Sequence, residues 1–307
     1  MHPQTREEVL RVAESLGYVR NLAAATLSSG RSWRIELVCD LDSIGGGFFN
    51  DFLRGAHAVL HPAGYSLTLS ALADPHEAAT HLERLHAAGA IDAVLFTNPT
   101  VHDHFPETPY PGVVLGRPAG GAAVPRVDSD NPRVGEDIAR HLHALGHRRM
   151  RVLEPAGRTF AADRAAGMLA TWRALGLDEG LIERVPVGQS AGGVAAALAD
   201  FAGSAVVTMS DSQAGRAVRA LRARGLRVPE DVSVVGMNDD LAPLLEPSLT
   251  SVNFNAPLLG EAAARSLLAA LSGREVPPVT LVPHLLVPRH STAAAAPSRL
   301  TTEARPH

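Results

Sequence analysis

Val206–Asp239 reads VVTMSDSQAGRAVRALRARGLRVPEDVSVVGMND, and the order of its parts decides the fold. Val206–Thr208 is a short apolar run of the kind that makes a buried strand. Ser210 and Asp211 then offer oxygens for capping a helix, and Ser212–Arg224 is amphipathic. Gly225 suits the left-handed position that ends a helix, and a second apolar run follows at Val232–Gly236. A strand, a helix and a strand in so short a span predict a βαβ unit. Its two strands must run parallel, because the helix carries the chain back to the starting edge.

The same alternation extends in both directions. Further strands are predicted at Ile35–Cys39, Leu67–Leu69, Ala93–Phe96, Val113–Leu115, Val152–Leu153 and Val185–Val187. Helices are predicted at Asp51–Leu60, Pro75–Ala88, Val134–Leu145, Asp163–Leu175 and Ala191–Phe201. Asp74 before Pro75 places a cap ahead of a first-turn proline, while Gly89, Gly146 and Gly176 stop helices. Repeated units of this kind imply an α/β fold with parallel sheets covered on both faces. The strands are too many for one small sheet, so two lobes are expected, with a ligand cleft at the carboxyl ends of the strands. From Ala293 to the end the composition reads as a disordered tail.

The chain has 307 residues, 46% of them hydrophobic, and no apolar run near the ~20 residues needed to span a bilayer. The opening Met1–Glu8 lacks the basic and apolar regions of a secretory signal. The single cysteine, Cys39, cannot form an internal disulfide, in keeping with a reducing, cytoplasmic compartment. Net charge is −4, which argues against indiscriminate nucleic-acid binding. Residues 1–34 are different, with five arginines against three glutamates, a local charge of +2. Lysine is absent from the whole chain, so arginine abundance by itself carries no functional meaning.

That basic segment has its own organisation. Thr5 and Glu8 form a capping box, Val9, Val12, Ala13 and Leu16 fall on one face, and Gly17 ends the helix. A helix of about 11 residues is unstable alone in water, so its apolar face requires a partner. A second, alanine-rich helix is expected over Asn21–Gly30.

Three stretches resemble the LacI/GalR family of regulators. Thr5–Leu10 through Leu16-Gly17-Tyr18-Val19-Arg20-Asn21 is similar to the last headpiece helix and its exit. Leu145-Gly146-His147-Arg148-Arg149, followed by Arg164-Ala165-Ala166-Gly167, matches a family stretch with an R-x-x-G. Gly225–Asp239 with Pro247-Ser248-Leu249-Thr250-Ser251-Val252 is the most specific match. The resemblance runs from residue 4 to about 290. It implies two Rossmann-like lobes of the periplasmic-binding-protein-like type I fold, plus a helical remnant of a helix-turn-helix headpiece. The implied division is a partial headpiece at 1–33 and an effector-binding core at 34–292. One lobe takes 34–144 and 256–274, the other 145–255 and 275–292, with a tail at 293–307. About twenty-five residues that family members carry upstream, encoding the recognition helix, are expected to be missing.

The resemblance also implies roles. A small sugar-like effector lies between the lobes, operator DNA is the macromolecular partner, and a homodimer is the working form. Arg164 is the leading effector residue, because a guanidinium can fork onto hydroxyls or carboxylates. Asn238 and Asp239 follow a strand end, where an amide or carboxylate pairs with vicinal hydroxyls. Ser210 and Asp211 occupy a similar place after Val206–Thr208, Asp211 being equally suited to cap the next helix. Phe48 is available for stacking beside the glycine loop Gly45–Gly47, and Asp74 is a weaker candidate. Tyr18 and Asn21 match DNA-contacting positions, and Leu27 matches the leucine that wedges into the minor groove.

The alternative function is a stand-alone sugar-binding sensor that has lost DNA recognition, and other chemistries are less favoured. Gly188-Gln189-Ser190-Ala191-Gly192 is a G-x-S-x-G, and Asp211 or Asp239 with His284 or His290 would complete a serine hydrolase order. Ser190 serves equally as a helix cap. His143 and His147 are separated by the helix-ending Gly146, and His102-Asp103-His104 lies in a proline-rich loop, so no metal site is expected. No cofactor and no catalysis are expected.

Overall fold

The computed structural model describes residues 5, 8, 11, 12, 15, 16, 30–39, 44, 46–72, 75–97, 109–118, 124–188 and 190–296. Elements in chain order are β1 (Arg34–Cys39), α1 (Gly47–Leu60), β2 (Ser66–Ala71), α2 (Pro75–Ala87), β3 (Ala93–Thr97), β4 (Gly112–Leu115) and β5 (Arg126–Asp128). Then come α3 (Asn131–Ala144), β6 (Met150–Glu154), α4 (Thr159–Ala174), β7 (Ile182–Pro186), α5 (Ala191–Ala197), β8 (Ala205–Thr208) and α6 (Asp211–Ala223). The last are β9 (Ser233–Met237), β10 (Thr250–Asn253), α7 (Ala256–Leu271), β11 (Val279–Leu281) and β12 (Leu285–Val287).

The strands form two six-stranded sheets, ordered β11-β5-β4-β3-β1-β2 and β12-β10-β9-β8-β6-β7. Every pairing is parallel except β12, which runs antiparallel to β10 at the edge. Central strands are buried on both faces: all four residues of β8 and all five of β9 are inaccessible, which is why they read as unbroken apolar runs. The edge strand β7 buries Ile182 and beyond it alternates between half-buried and exposed positions. The two-lobed α/β architecture is therefore the one expected.

Several boundaries differ from expectation. The first crossing between lobes falls before α3, not after it, because α3 packs on α4 of the second lobe. The strand β11 pairs with β5 in the first sheet, so the last crossing lies between β11 and β12 rather than near residue 275. The tail does not begin at Ala293. The Ala293 amide donates to Ser233 Oγ at 3.1 Å, its carbonyl lies 3.1 Å from His147 Nε2, and the Ala295 amide donates to the Leu145 carbonyl at 2.7 Å. Helix α5 stops at Ala197, short of Phe201, where Arg224 donates to the carbonyls of Leu198 and Phe201. In the N-terminal segment Thr5, Glu8, Arg11, Val12 and Ser15 are helical, and Val12 and Leu16 are exposed.

Among the described residues, a helix pair in each lobe comes into backbone contact. In the first, a Cβ added at Gly55 of α1 would lie 1.9 Å from the Pro257 carbonyl oxygen of α7. In the second, a Cβ at Gly135 of α3 would lie 2.0 Å from the Arg164 carbonyl oxygen. Reciprocally, a Cβ at Gly167 of α4 would lie 1.9 Å from that of Pro132. The α3–α4 seam thus fixes where Arg164 leaves its helix.

Gly167→Ala should destabilise the protein by about 1–3 kcal/mol, since backbone cannot yield as a flexible side chain can. Gly192→Ala, in α5 with no atom within 4 Å of the new Cβ, should instead be neutral or stabilising by up to about 1 kcal/mol. Urea unfolding of both variants checks the pair. Equal effects would mean the seam is not a constraint.

Candidate effector site

Arg164 sits in the second turn of α4, at the carboxyl ends of the second sheet's strands, and is almost fully buried. Its guanidinium carbon lies over two aromatic rings, 4.7 Å from the Phe160 centroid and 4.5 Å from that of Phe254. Two aromatic rings thus replace part of the cation's hydration, while its N–H groups still need acceptors. The Nε donates to Asn131 Oδ1 at 2.9 Å, the one oxygen acceptor it has among the described residues. Its Nη1 lies against the thioether sulfurs of Met237, at 3.2 Å, and Met209, at 3.9 Å. Sulfur is a weak acceptor, so the fork keeps donor capacity that a ligand oxygen would satisfy better.

Asn131 has its orientation set from behind. Its Nδ2 donates to Asp128 Oδ1 at 2.9 Å, which turns its own oxygen toward Arg164. Asp128 also accepts from the Ser129 amide at 2.8 Å. Burial pushes the Asp128 carboxyl up to about 6, against the pull of the Ser129 amide and of Arg126 and Arg164. Burial also draws Arg164 down to about 10, partly offset by Asp128 and Asp163, so it stays cationic at neutral pH. The chain of contacts is Arg164–Asn131–Asp128, with an amide between cation and carboxylate rather than a direct ion pair.

From the first lobe, Phe48 in the first turn of α1 meets Phe254 edge-on, with ring centroids 6.2 Å apart. Of the residues singled out in the sequence, Arg164 and Phe48 therefore share the Phe254 ring. Asn238 stands directly after β9 with φ of +97°, half-buried, its amide donating to the Val252 carbonyl at 2.9 Å. The others are occupied in different ways. Asp239 pairs with Arg289 at 2.6 Å and accepts from Asn253 Nδ2 at 3.1 Å. Ser210, not Asp211, is the N-cap of α6 and accepts from the Gln213 amide at 3.2 Å. Asp211 is buried and faces inward. It accepts from Ser251 Oγ at 2.6 Å and from the amides of Leu241, at 3.2 Å, and Ala242, at 3.0 Å. Asp74, Tyr18, Asn21 and Leu27 lie outside the described residues.

The neighbours of Arg164, namely Phe160, Phe254, Asn131 and, through it, Asp128, are not singled out by the sequence. Asn131 did carry a signal, since it stands before Pro132 at a helix start, but that position reads first as capping.

Ser190 caps α5, accepting from the Gly193 amide at 3.1 Å. The residues that would complete a triad have other partners: His284 with Asp137 at 3.1 Å, His290 with Ser248 at 2.9 Å, and the two aspartates as above. Among the described residues no group of three or more His, Cys, Asp or Glu is placed to hold a metal ion. No helix of the described residues is long and apolar enough to cross a membrane.

Burial, reinforced by the nearby Asp240 carboxylate, pushes the Asp211 carboxyl up to about 7. A carboxyl that holds its proton longer in the folded chain stabilises it at low pH, and that contribution fades as pH rises through the folded value. The stability difference between wild type and Asp211→Asn should therefore shrink as pH rises from about 4 to about 7. Taking the difference removes the opposing contribution of His141 and His147, which burial lowers. Urea unfolding at several pH values checks this, and a difference that grows across the window would contradict it.

A periplasmic binding protein-like domain matches residues 139–292. The HTH-type transcriptional regulator CelR of Thermobifida fusca is 35% identical over 93% of this chain and 89% of its own. The HTH-type transcriptional regulator AglR of Rhizobium meliloti is 32% identical over 89% of this chain and 78% of its own. A solved complex of transcriptional regulator CelR with cellobiose superposes with a TM-score of 0.76 at 29% identity, covering 95% of this chain and 91% of that one. The chain belongs to the LacI/GalR family of transcriptional regulators.

Proposed function

We propose that this regulator is a sugar-responsive repressor whose cleft closes on a small sugar or polyol, with Arg164 as the principal anchor. The observation that carries the reading is the buried guanidinium over the rings of Phe160 and Phe254, with its Nη1 facing sulfur rather than oxygen. Hydroxyl or ring oxygens of a sugar entering in the guanidinium plane would supply the missing acceptors. Asn238 adds an amide from the β9 exit, and Phe48 an aromatic edge from the opposite lobe. Binding of cellobiose by the CelR relative makes cellobiose the first ligand to try.

Lobe closure changes the arrangement of two copies in a homodimer, and through it the spacing of paired DNA-binding segments on a palindromic operator. Tyr18, Asn21 and Leu27 would contact that operator, in the cytoplasm. The site has no catalytic duty in this reading.

Calorimetric titration against a panel including cellobiose and ribose tests the proposal. Wild type is expected to bind one member. Arg164→Ala should cost about 1.5–3 kcal/mol, a weakening of roughly 10- to 150-fold. Arg164→Lys should recover only part of the loss, because it keeps the charge and loses the fork. Unchanged affinity in Arg164→Ala would remove this residue from the site.

A further inference from the structure

Helix α1 begins without a cap of its own. Its N-cap is Gly46, which has no side chain, and no acidic residue stands in its first turn. The first-turn amide of Phe48 instead donates, at 3.2 Å, to Asp240 Oδ2, a residue 192 positions away in the second lobe. The approach is close enough to dictate the residue opposite: a Cβ at Gly47 would lie 2.5 Å from Asp240 Cβ and 2.7 Å from Oδ2.

Asp240 is held firmly from its own side. Its Oδ1 accepts from the Leu241 amide at 2.9 Å. The amides of Leu241 and Ala242 are bound in turn by Asp211. The preceding residues Asn238 and Asp239 turn through positive φ, +97° and +60°, and Asp239 is tied to Arg289. The cap therefore rides on the same braced turn as Asn238. A second bond crosses between the lobes from the first-lobe segment after β4, where Arg117 forks onto Asp163 of α4 at 2.8 and 2.7 Å. Asp163 is the immediate neighbour of Arg164.

We propose that Asp240 is a positioning residue of the effector cleft: a helix cap supplied by one lobe to the other, which holds α1 and Phe48 against Phe254 when the lobes are closed. A carboxylate at a helix N-terminus satisfies an orphan amide and opposes the positive end of the helix dipole. Opening the cleft breaks this cap, so closure gains an interaction that is independent of ligand contacts. A ligand drawn to Asn238 would steady the turn that carries the cap. The effect on ligand affinity rests on the effector reading given above; the cap itself does not.

Hydrogen exchange by mass spectrometry on the full chain tests the cap directly, comparing wild type, Asp240→Ala and Asp240→Asn. Exchange at the Phe48 amide should quicken at least tenfold in Asp240→Ala, with α2 unchanged. Asp240→Asn should keep most of the protection, because an amide oxygen still accepts. Small-angle scattering should give a larger radius of gyration for Asp240→Ala. Unchanged Phe48 exchange in Asp240→Ala overturns the cap. Cellobiose titration of the same proteins separates the two readings. If wild type binds, Asp240→Ala should weaken binding at least fivefold, and unchanged affinity overturns the positioning role. If wild type does not bind cellobiose, the choice of ligand fails while the exchange result still decides the cap.

Discussion

The fold around the cleft is organised by one buried cation. A guanidinium removed from water loses its hydration, and the effective cost is several kcal/mol unless neighbouring groups replace it. Here the replacement is divided among two aromatic faces, one amide oxygen and the more distant field of Asp128. Cation–π contacts in desolvated surroundings contribute about 2 kcal/mol each, and the Nε hydrogen bond about 1.5–3 kcal/mol. None of these saturates the in-plane donors. The arrangement holds the charge in place while leaving Nη1 with only sulfur acceptors, which suits the proposed recognition of a polyhydroxylated ligand.

This arrangement depends on backbone packing before it depends on any polar contact. The reciprocal glycines Gly135 and Gly167 bring α3 and α4 together until carbonyl oxygens occupy the space of missing side chains. That contact sets Asn131, at the start of α3, within reach of Arg164, on α4. Phe254 arrives from the end of β10, where the chain leaves the second lobe for the first. The residue that stacks on the cation is therefore also at a crossing between lobes. Phe48 touches the same ring from the first lobe, and Asp240 holds the helix that carries Phe48. A change in lobe angle must disturb this cluster, because the interfaces within it are packed rather than compliant.

The architecture was legible in the sequence where a strand buried on both faces is also built from apolar side chains. Val206–Thr208 and Val232–Gly236 read as unbroken apolar runs because helices cover both sides of the sheet. β5, with the sequence Arg-Val-Asp, and β10, with Thr-Ser-Val-Asn, escaped notice because polar groups in them serve the site and the loop braces. α7 has buried residues spread over an alanine- and leucine-rich stretch, with little contrast between its faces. In the site, Arg164 is singled out in the sequence by its motif. Its supports are not, since Asn131 lies 33 residues away and Phe254 comes from another element altogether. Asp211 and Asp239 sit where the motif suggested, yet their carboxylates brace the turn that carries Asn238 and Asp240. A strand-end position identifies a neighbourhood, and the direction of each side chain is settled only by tertiary contacts.

The most direct test of the central claim is a crystal structure of the protein with the tightest-binding sugar from the titration panel. The account predicts ligand oxygens in the guanidinium plane within about 2.7–3.1 Å of the Arg164 Nη atoms, with the Nε–Asn131 bond and both phenylalanine contacts retained. A sugar bound elsewhere, or an Arg164 swung out of its aromatic clamp to pair directly with Asp128, would contradict it.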